Sequence, residues 1–312
     1  MTKENNTITN STSFVLASKV KDYFQLIKFT LSFMVVFSTV VCFLIAPHEL
    51  YIYRSTALSV LLLFAGGMLV TGSANAINQI AEKDTDSKMK RTAKRPVASG
   101  RMSVNEATAF AVIAGGLGVF ILWYFFNYQA ALTGLLSLFL YGFIYTPLKK
   151  VNSIAVLVGA IPGAIPCLIG WIAAYGDQPI SWTGAWIVFG IQFLWQFPHF
   201  WAIAWIAHND YTAAGFKLLP GDKGPTKFTA LQTVIYSALM IPFGLLPYYT
   251  NIAGIVSMWI VLACNLWMVA VSIQLFVKMD AKSARMVMFS SYFYLMIVLL
   301  ALFADRIAPG IH

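Results

Sequence analysis

The sequence predicts an all-α polytopic membrane protein with nine transmembrane helices. Of the 312 residues, 59% are hydrophobic and only 11% are charged, whereas soluble globular domains carry about 25% charged residues. Apolar runs close to the roughly 20 residues that span a bilayer as a helix recur along the chain. Lysine and arginine, finally, gather in alternate loops, as the positive-inside rule requires of a helical membrane protein.

The N-terminal segment is polar and precedes the first apolar run. We expect residues 1–27 to form a disordered cytoplasmic tail and residues 28–312 to form a single transmembrane domain. The tail contains three lysines, no arginine, and the acidic residues Glu4 and Asp22. A mitochondrial presequence would be rich in arginine and poor in acid. The segment therefore indicates a bacterial protein.

Nine apolar runs follow, and the loop charges test their number independently. The predicted spans are 28–46, 55–77, 104–123, 129–147, 153–174, 183–206, 227–248, 252–277 and 285–304. The count places the N-terminus in the cytoplasm and the C-terminus outside. Of the 21 lysines and arginines, 19 then fall in cytoplasmic segments, and only Arg54 and Arg306 fall in external ones. A miscounted helix would reverse every loop beyond it. The alternation therefore supports nine spans in a bacterial cytoplasmic (inner) membrane.

The net charge of +9 follows from this topology, because basic residues collect in cytoplasmic loops. We therefore expect the lipid bilayer as the surroundings and no nucleic-acid partner. Two cytoplasmic loops are long, at about 78–103 and 207–226, and they follow the second and sixth spans. This spacing of four helices suggests a duplicated unit, and proteins built from repeats place their site where the halves meet.

An acidic cluster begins the first long loop. Glu82, Asp84 and Asp86 fall within five positions although the whole chain has only 12 acidic residues. At about 100° per residue, Asn78, Glu82 and Asp86 share one helix face with Asn75, and Asp84 falls on the far side. Two carboxylates one turn apart repel each other unless a cation lies between them. Mg²⁺ is such a cation, and it commonly binds one or two carboxylates together with substrate phosphates. The alternative is a solvated loop near the membrane, but the stripe that continues through Asn75 into the apolar span favours a site.

Two further stretches place polar residues in or beside apolar spans. In the sixth span Gln196, His199 and Asp210 share a face if the helix continues past Pro198. Asp210 then ends the helix at the cytoplasmic level of Asp86, whereas a single buried histidine such as His199 is more often a hydrogen-bonded core residue than a ligand. The other stretch contains Tyr145 and Lys149 before a fifth span rich in glycine and proline. Such a broken helix can line a cavity, although Lys149 has a purely topological explanation as well.

These motifs resemble those of the UbiA-type intramembrane prenyltransferases. The spacing Asn78-xxx-Glu82-xxx-Asp86 resembles their first acidic motif, Asn-xxx-Asp-xxx-Asp, and residues 90–96 resemble its continuation. The stretch Trp-Gln-Phe-Pro-His-Phe-Trp at 195–201 is similar to that of the branch that farnesylates haem. The resemblance covers about residues 20–305 and implies nine helices around a central cavity.

The resemblance also implies an activity. A farnesyl group would pass from farnesyl diphosphate to a vinyl group of haem b, giving haem O and pyrophosphate, with Mg²⁺ as cofactor and a haem A synthase as downstream partner. It assigns the metal and diphosphate to Asn78, Glu82, Asp86 and Asp210. The substrate contacts implied are Arg91, Arg95, Lys149, His199, Gln196, Trp195, Trp201, Asn75 and Tyr145.

Two positions depart from the family pattern, and other functions stay open. Glu82 replaces the usual aspartate, and Ile206 stands where many relatives have an acid four residues before Asp210, so the second motif would supply one carboxylate. The alternatives are a related enzyme that prenylates a quinone precursor, a haem transporter and a non-catalytic assembly factor. A transporter would place carboxylates near the bilayer midplane, whereas Glu82, Asp86 and Asp210 are predicted at the cytoplasmic end.

Overall fold

The computed structural model describes residues 18–47, 55–221 and 224–307. Within these ranges the regular elements are all helices, eight of them long and apolar enough to cross a membrane, or nine if a bent N-terminal pair counts as one span. The all-α polytopic prediction is therefore confirmed. The remaining positions, Arg54 among them, lie outside the described residues. The helices are α1 (Ser18–Leu26), α2 (Phe29–Ile45), α3 (Thr56–Ala81), α4 (Lys83–Asp86), α5 (Val104–Phe125), α6 (Tyr128–Leu148), α7 (Ala155–Ala173), α8 (Trp182–Ile206), α9 (His208–Ala213), α10 (Lys227–Tyr249), α11 (Ile255–Lys278) and α12 (Ala281–Ala304).

The first helix differs from the expected disordered tail. Residues 18–26 form α1, which meets α2 at an angle of 51°; the rest of the expected tail, residues 1–17, lies outside the described residues. Leu26 is fully buried. Arg101 Nε donates to Asp22 Oδ1 at 2.8 Å. The segment is ordered because an apolar anchor and an ion pair attach it to the connection that follows α4.

The break between α1 and α2 is stabilised by amides from α3. Lys28 adopts a left-handed conformation with φ of 49°, which interrupts the helical hydrogen bonds. Asn75 Nδ2 donates to the carbonyl of Ile27 at 3.1 Å and to the hydroxyl of Ser32 at 3.0 Å. Gln79 Nε2 donates to two further carbonyls of α1. A broken helix at membrane depth needs such partners for its freed carbonyls, so α3 fixes the position of Lys28.

Helices α7 and α8 form the centre of the molecule. In each of them 78% of the spanning window is buried, against 22–39% in the other six long helices. Glycines on α7 and α8 allow this close packing: a side chain at Gly170 would collide with the carbonyl of Thr39 on α2, and one at Gly184 would collide with Trp171. The outer helices expose large apolar side chains, as lipid-facing surfaces do. Helix α2 packs against α3, α7 and α12, so it connects the first helices of the bundle to the last one.

Helix α6 contains a π-helical turn at Leu140–Tyr145. The hydroxyl of Thr146 donates to the carbonyl of Tyr141 at 2.8 Å within this turn. Such turns often mark functional sites because the extra residue rotates the side chains that follow it. Here Tyr141 and Tyr145, four residues apart, both line the same cavity.

Candidate active site

A cavity of about 490 Å³ lies beyond the end of α3. Its walls come from the α1–α2 break, α3, α4 and the connection after it, α6, α8, the segment from α9 onward, and α12. It brings together eight of the site residues predicted from the sequence. These are Asn78, Glu82, Asp86, Arg91, Arg95, Tyr145, Lys149 and His199.

Asn78 joins two elements at the cavity wall. Its Oδ1 atom accepts a hydrogen bond from Lys28 Nζ at 2.9 Å, and its Nδ2 atom donates to the hydroxyl of Thr146 at 3.2 Å. The amide is therefore held between the α1–α2 break and the end of α6. Asn78 is 1% exposed. Because solvent does not compete for its amide, these two hydrogen bonds determine its orientation.

Glu82 ends helix α3 and forms an ion pair with Lys149. Both side chains are buried. Burial lowers the pKa of Lys149, and the neighbouring Glu82 carboxylate acts in the opposite direction. The Lys149 ammonium also lies 5.3 Å from the ring centre of Tyr145 and 4.9 Å from that of Phe216. Aromatic faces stabilise a cation at such distances, so both rings favour the charged form of the lysine.

Asp86 is fully buried and is only half satisfied. Arg95 Nη1 donates to its Oδ2 atom at 2.6 Å. The other oxygen, Oδ1, has no hydrogen-bond partner among the residues described. An unpaired buried carboxylate oxygen costs free energy, and it is therefore available for a cation or a donor brought by a ligand. The short helix α4 keeps Asp86 on the cavity side, and Asp84 is exposed on the other side.

The carboxylates do not form a complete metal cage by themselves. Within the described ranges, no group of three or more His, Cys, Asp and Glu side chains is arranged to hold a metal ion. Glu82 and Asp86 both line the cavity and provide oxygen donors of the kind that Mg²⁺ prefers. Because Mg²⁺ commonly completes its shell with water and substrate phosphates, two carboxylates fit its usual mode of binding.

Arg91 lies at the cavity rim beside α9. Its Nη2 atom donates to the hydroxyl of Tyr211 at 3.3 Å, and its guanidinium lies 5.8 Å from the centre of that ring. Tyr211 also lines the cavity. The tyrosine thus orients an arginine that is otherwise exposed.

Asp210 does not reach the cavity. It is exposed on α9 and is not among the cavity-lining residues. The sequence prediction extended one helical wheel from Gln196 to Asp210, but α8 ends at Ile206 and the backbone of Ala207 leaves the helical region. The break changes the helical phase, so the next residue, Tyr211, faces the cavity in place of Asp210.

Four other predicted contacts are not among the residues that line the cavity. Asn75 supports the α1–α2 break, as described above. Gln196 donates to the carbonyls of Ala160 and Gln192. Trp195 and Trp201 are buried in the packing around α8, where Trp201 contacts Phe197 and Tyr236.

His199 of α8 also lines the cavity. Its Nδ1 atom is 2.7 Å from the hydroxyl of Ser291 on α12. Its ring stacks on Trp195 at 4.8 Å with an interplanar angle of 17°, and it meets Tyr292 edge to face at 4.8 Å. The imidazole is therefore held on both sides and at one nitrogen.

Four further residues that were not assigned to the site from the sequence also line the cavity: Lys28, Tyr141, Tyr211 and Tyr292. Lys28 is the first residue of the first predicted span, 28–46, and no function was predicted for it. A usable signal existed in the amides of α3, since Asn75 and Gln79 inside an apolar span indicate a neighbouring helix with freed backbone carbonyls.

The chain is similar to proteins of one known family. A model of the UbiA prenyltransferase family matches residues 34–298. A protoheme IX farnesyltransferase of Cytophaga hutchinsonii is 41% identical over 292 residues, which are 94% of this chain and 100% of that protein. The solved structure of a digeranylgeranylglyceryl phosphate synthase has a TM-score of 0.75 at 21% identity and covers 92% of this chain and 98% of that one. A UbiA homologue from Archaeoglobus fulgidus, bound to DMAPP and Mg²⁺, has a TM-score of 0.66 at 16% identity, with 91% and 98% covered.

Proposed function

The chain belongs to the UbiA prenyltransferase family, and from this we propose that it transfers a farnesyl group from farnesyl diphosphate to a vinyl group of haem b. The observation that carries the proposal is one cavity whose lining combines two kinds of side chain. Glu82 and Asp86 line it together with four cationic side chains, and His199 lines it together with several aromatic rings. Relatives named for this reaction, at 41% identity over nearly the whole chain, give the acceptor and the donor.

The cationic side chains supply the charge that the leaving group needs. When the allylic carbon–oxygen bond breaks, its electron pair leaves on pyrophosphate, and preorganised positive groups stabilise that charge. Lys28, Arg91, Arg95 and Lys149 all line the cavity. Arg95 and Lys149 form ion pairs with Asp86 and Glu82, whereas Lys28 and Arg91 donate hydrogen bonds to Asn78 and Tyr211. We infer that the diphosphate exchanges some of these contacts for its own oxygens.

Glu82 and Asp86 would hold a Mg²⁺ ion. The unpaired Oδ1 of Asp86 and the oxygen-only donor set support this assignment. A Mg²⁺ ion bound there would neutralise charge on the diphosphate. The chain's own residues do the remaining work: Arg95 orients Asp86 and Lys149 orients Glu82.

The allylic cation would be protected by aromatic rings and consumed by the acceptor. Tyr141, Tyr145 and Phe200 line the cavity, and ring faces stabilise a nearby cation. The vinyl π electrons of haem b form the new carbon–carbon bond. The cation left next to the porphyrin then takes up water, which loses a proton, and the product is a hydroxyethylfarnesyl haem.

The membrane setting follows from the charge distribution. We infer that the chain lies in a bacterial cytoplasmic membrane with its N-terminus inside, so that the diphosphate site faces the cytoplasm. The product would then pass to a haem-modifying enzyme, with a haem A synthase as the expected partner.

The test is a reconstitution. The purified full chain is incubated with haem b, farnesyl diphosphate and Mg²⁺, and the haem is analysed by mass spectrometry. We expect a product heavier than haem b by one farnesyl group and one hydroxyl, and its loss when EDTA replaces Mg²⁺. A phenolic quinone precursor in a parallel reaction tests the other acceptor class. Binding of both substrates without product, or prenylation of the phenol alone, would contradict the proposal.

A further inference from the structure

The hydroxyl of Ser291 determines which nitrogen of His199 carries the proton. Ser291 Oγ lies 2.6 Å from the carbonyl oxygen of Met288 and 2.7 Å from His199 Nδ1. A hydroxyl has one hydrogen to donate, and a carbonyl oxygen can only accept. The hydrogen therefore points to Met288, and the serine oxygen accepts a hydrogen bond from Nδ1–H of His199.

The rest of the imidazole is fixed by packing. Trp195 stacks against one face, and Tyr292 meets the ring edge to face. Trp195 is itself held by a hydrogen bond from Nε1 to the backbone carbonyl of Ser291 at 2.6 Å. One residue of α12 thus orients both the histidine and the tryptophan that supports it.

The remaining nitrogen, Nε2, is the free one. Since Nδ1 carries the proton, Nε2 of the neutral ring has a lone pair. His199 lines the cavity, and no hydrogen bond between described residues uses its Nε2 atom. A neutral imidazole nitrogen whose ring is oriented by a hydrogen bond at the other nitrogen is the usual form of a metal-ligating histidine.

We propose that His199 Nε2 is an axial ligand of the iron of the haem substrate, and that Ser291 is the residue that positions it. The inference rests on the proposed function, since it requires haem b in the cavity. Iron ligation would fix the distance of the porphyrin from α8. It would leave the vinyl groups at the porphyrin edge free to face a farnesyl diphosphate held by the charged side chains of the cavity, which are Lys28, Glu82, Asp86, Arg91, Arg95 and Lys149.

The first test is spectroscopic and needs no farnesyl diphosphate. Haem b is bound to the purified full chain, reduced, and examined by resonance Raman for an iron–histidine stretching band. We expect the band in the unaltered protein and in His208→Ala, whose histidine lies on a neighbouring pocket and not on this cavity. We expect its loss in His199→Ala, with recovery when imidazole is added. A band that is absent from the unaltered protein, or that persists in His199→Ala, overturns the proposal.

The second test addresses Ser291 and does not depend on His199→Ala folding. Ser291→Ala removes the acceptor for Nδ1–H but keeps the backbone carbonyl that holds Trp195. Loss of such a supporting hydrogen bond typically lowers metal affinity by about ten- to hundredfold. We therefore expect weaker haem binding and a shifted iron–histidine band in Ser291→Ala, and near-normal values in Ser291→Thr. An unchanged band and affinity in Ser291→Ala would refute the positioning role.

These outcomes are separable from the proposed function. If the protein forms the farnesylated haem but lacks the iron–histidine band, the proposed function stands and the iron ligation by His199 is wrong. If the protein shows the band but forms no product, the haem site stands and the proposed function is wrong.

Discussion

At the scale of single residues, the charge balance of the cavity depends on Asp86. This carboxylate is fully buried, paired through one oxygen with Arg95, and unpaired at the other. In Asp86→Asn the side chain keeps its size but loses its charge and one acceptor. We expect transfer activity to fall by at least about a hundredfold, because the substitution removes a ligand for the cation that supports diphosphate departure.

Asp84→Asn provides the matched control. Asp84 is two residues away, carries the same charge and is exposed outside the cavity. The measurement is the rate of farnesylated haem formation by both variants at equal membrane expression. Equal rates for Asp86→Asn and the unaltered protein, or equal losses in both variants, would remove Asp86 from the site.

Lys28 gives a second prediction at this scale. Its ammonium donates to Asn78 and faces the cavity, so we expect it to contact the diphosphate. Hydrogen bonds to charged groups contribute about 1.5–3 kcal/mol, so Lys28→Met should lower kcat/KM for farnesyl diphosphate by roughly ten- to hundredfold. Lys21→Met, at an exposed position of α1, should leave it unchanged. If both variants lower kcat/KM by a similar small factor, Lys28 does not contact the diphosphate, and the positive-inside rule alone explains its position.

Site residues could be predicted from the sequence when they lie close together along one helix. They could not be predicted when their positions depend on helix ends or on other helices. Asn78, Glu82 and Asp86 were predictable as neighbours because they follow one another at helical spacing over a short distance. Asp210 does not share the predicted helix face, because that face was extrapolated through a helix end at Ala207. Lys28 was missed because its access to the cavity depends on a helix break, and that break is stabilised by a different helix.

At the scale of elements, α7 depends on small residues for its central position. At Gly170 a Cβ atom would collide with the backbone of Thr39 and approach that of Phe43, neither of which can move without shifting α2. Overpacking of this kind costs about 1–3 kcal/mol. We expect Gly170→Ala to lower the midpoint of thermal unfolding in detergent and to reduce activity through displacement of α2.

Gly116→Ala on α5 is the corresponding control, since a Cβ atom there would meet no atom within 4 Å. Alanine favours helix over glycine by up to about 1 kcal/mol, so this variant should be unchanged or slightly more stable. The comparison is read from unfolding curves of the two proteins in the same detergent. A Gly170→Ala protein as stable as Gly116→Ala would contradict the close approach of α7 and α2.

Helix positions were predictable at this scale, and helix irregularities were not. Apolar run length locates a span because the bilayer sets one thickness for all of them. The π-helical turn at Leu140–Tyr145 and the bend between α1 and α2 leave no such trace. The bend depends on amide donors from α3, and both irregularities bring residues into the cavity.

At the scale of the whole molecule, Asp177, Asp305 and Arg306 lie at one end of the bundle, whereas most lysines and arginines lie at the other. The candidate site lies at that end, with Glu82, Asp86 and the basic connection after α4. The opposite loop between α7 and α8, residues 174–181, contains Asp177 but no lysine or arginine. Because basic loops are retained in the cytoplasm, the site and the loop at 174–181 should lie on opposite sides of the membrane.

Thiol labelling tests this orientation directly. Cys42 and Cys167 are fully buried, so a Cys264→Ser background should react little with a membrane-impermeant maleimide. In that background Asp177→Cys should be labelled in spheroplasts, and Lys150→Cys should be labelled only in inverted vesicles; both positions are exposed. Their opposite behaviour follows from the charge of the loops and would place the diphosphate site on the cytoplasmic side. If both cysteines are labelled from the same side, the prediction that one helix spans the membrane between positions 150 and 177 is wrong. If Asp177→Cys is labelled from the cytoplasmic side and Lys150→Cys from the outside, the predicted orientation of the whole chain is reversed.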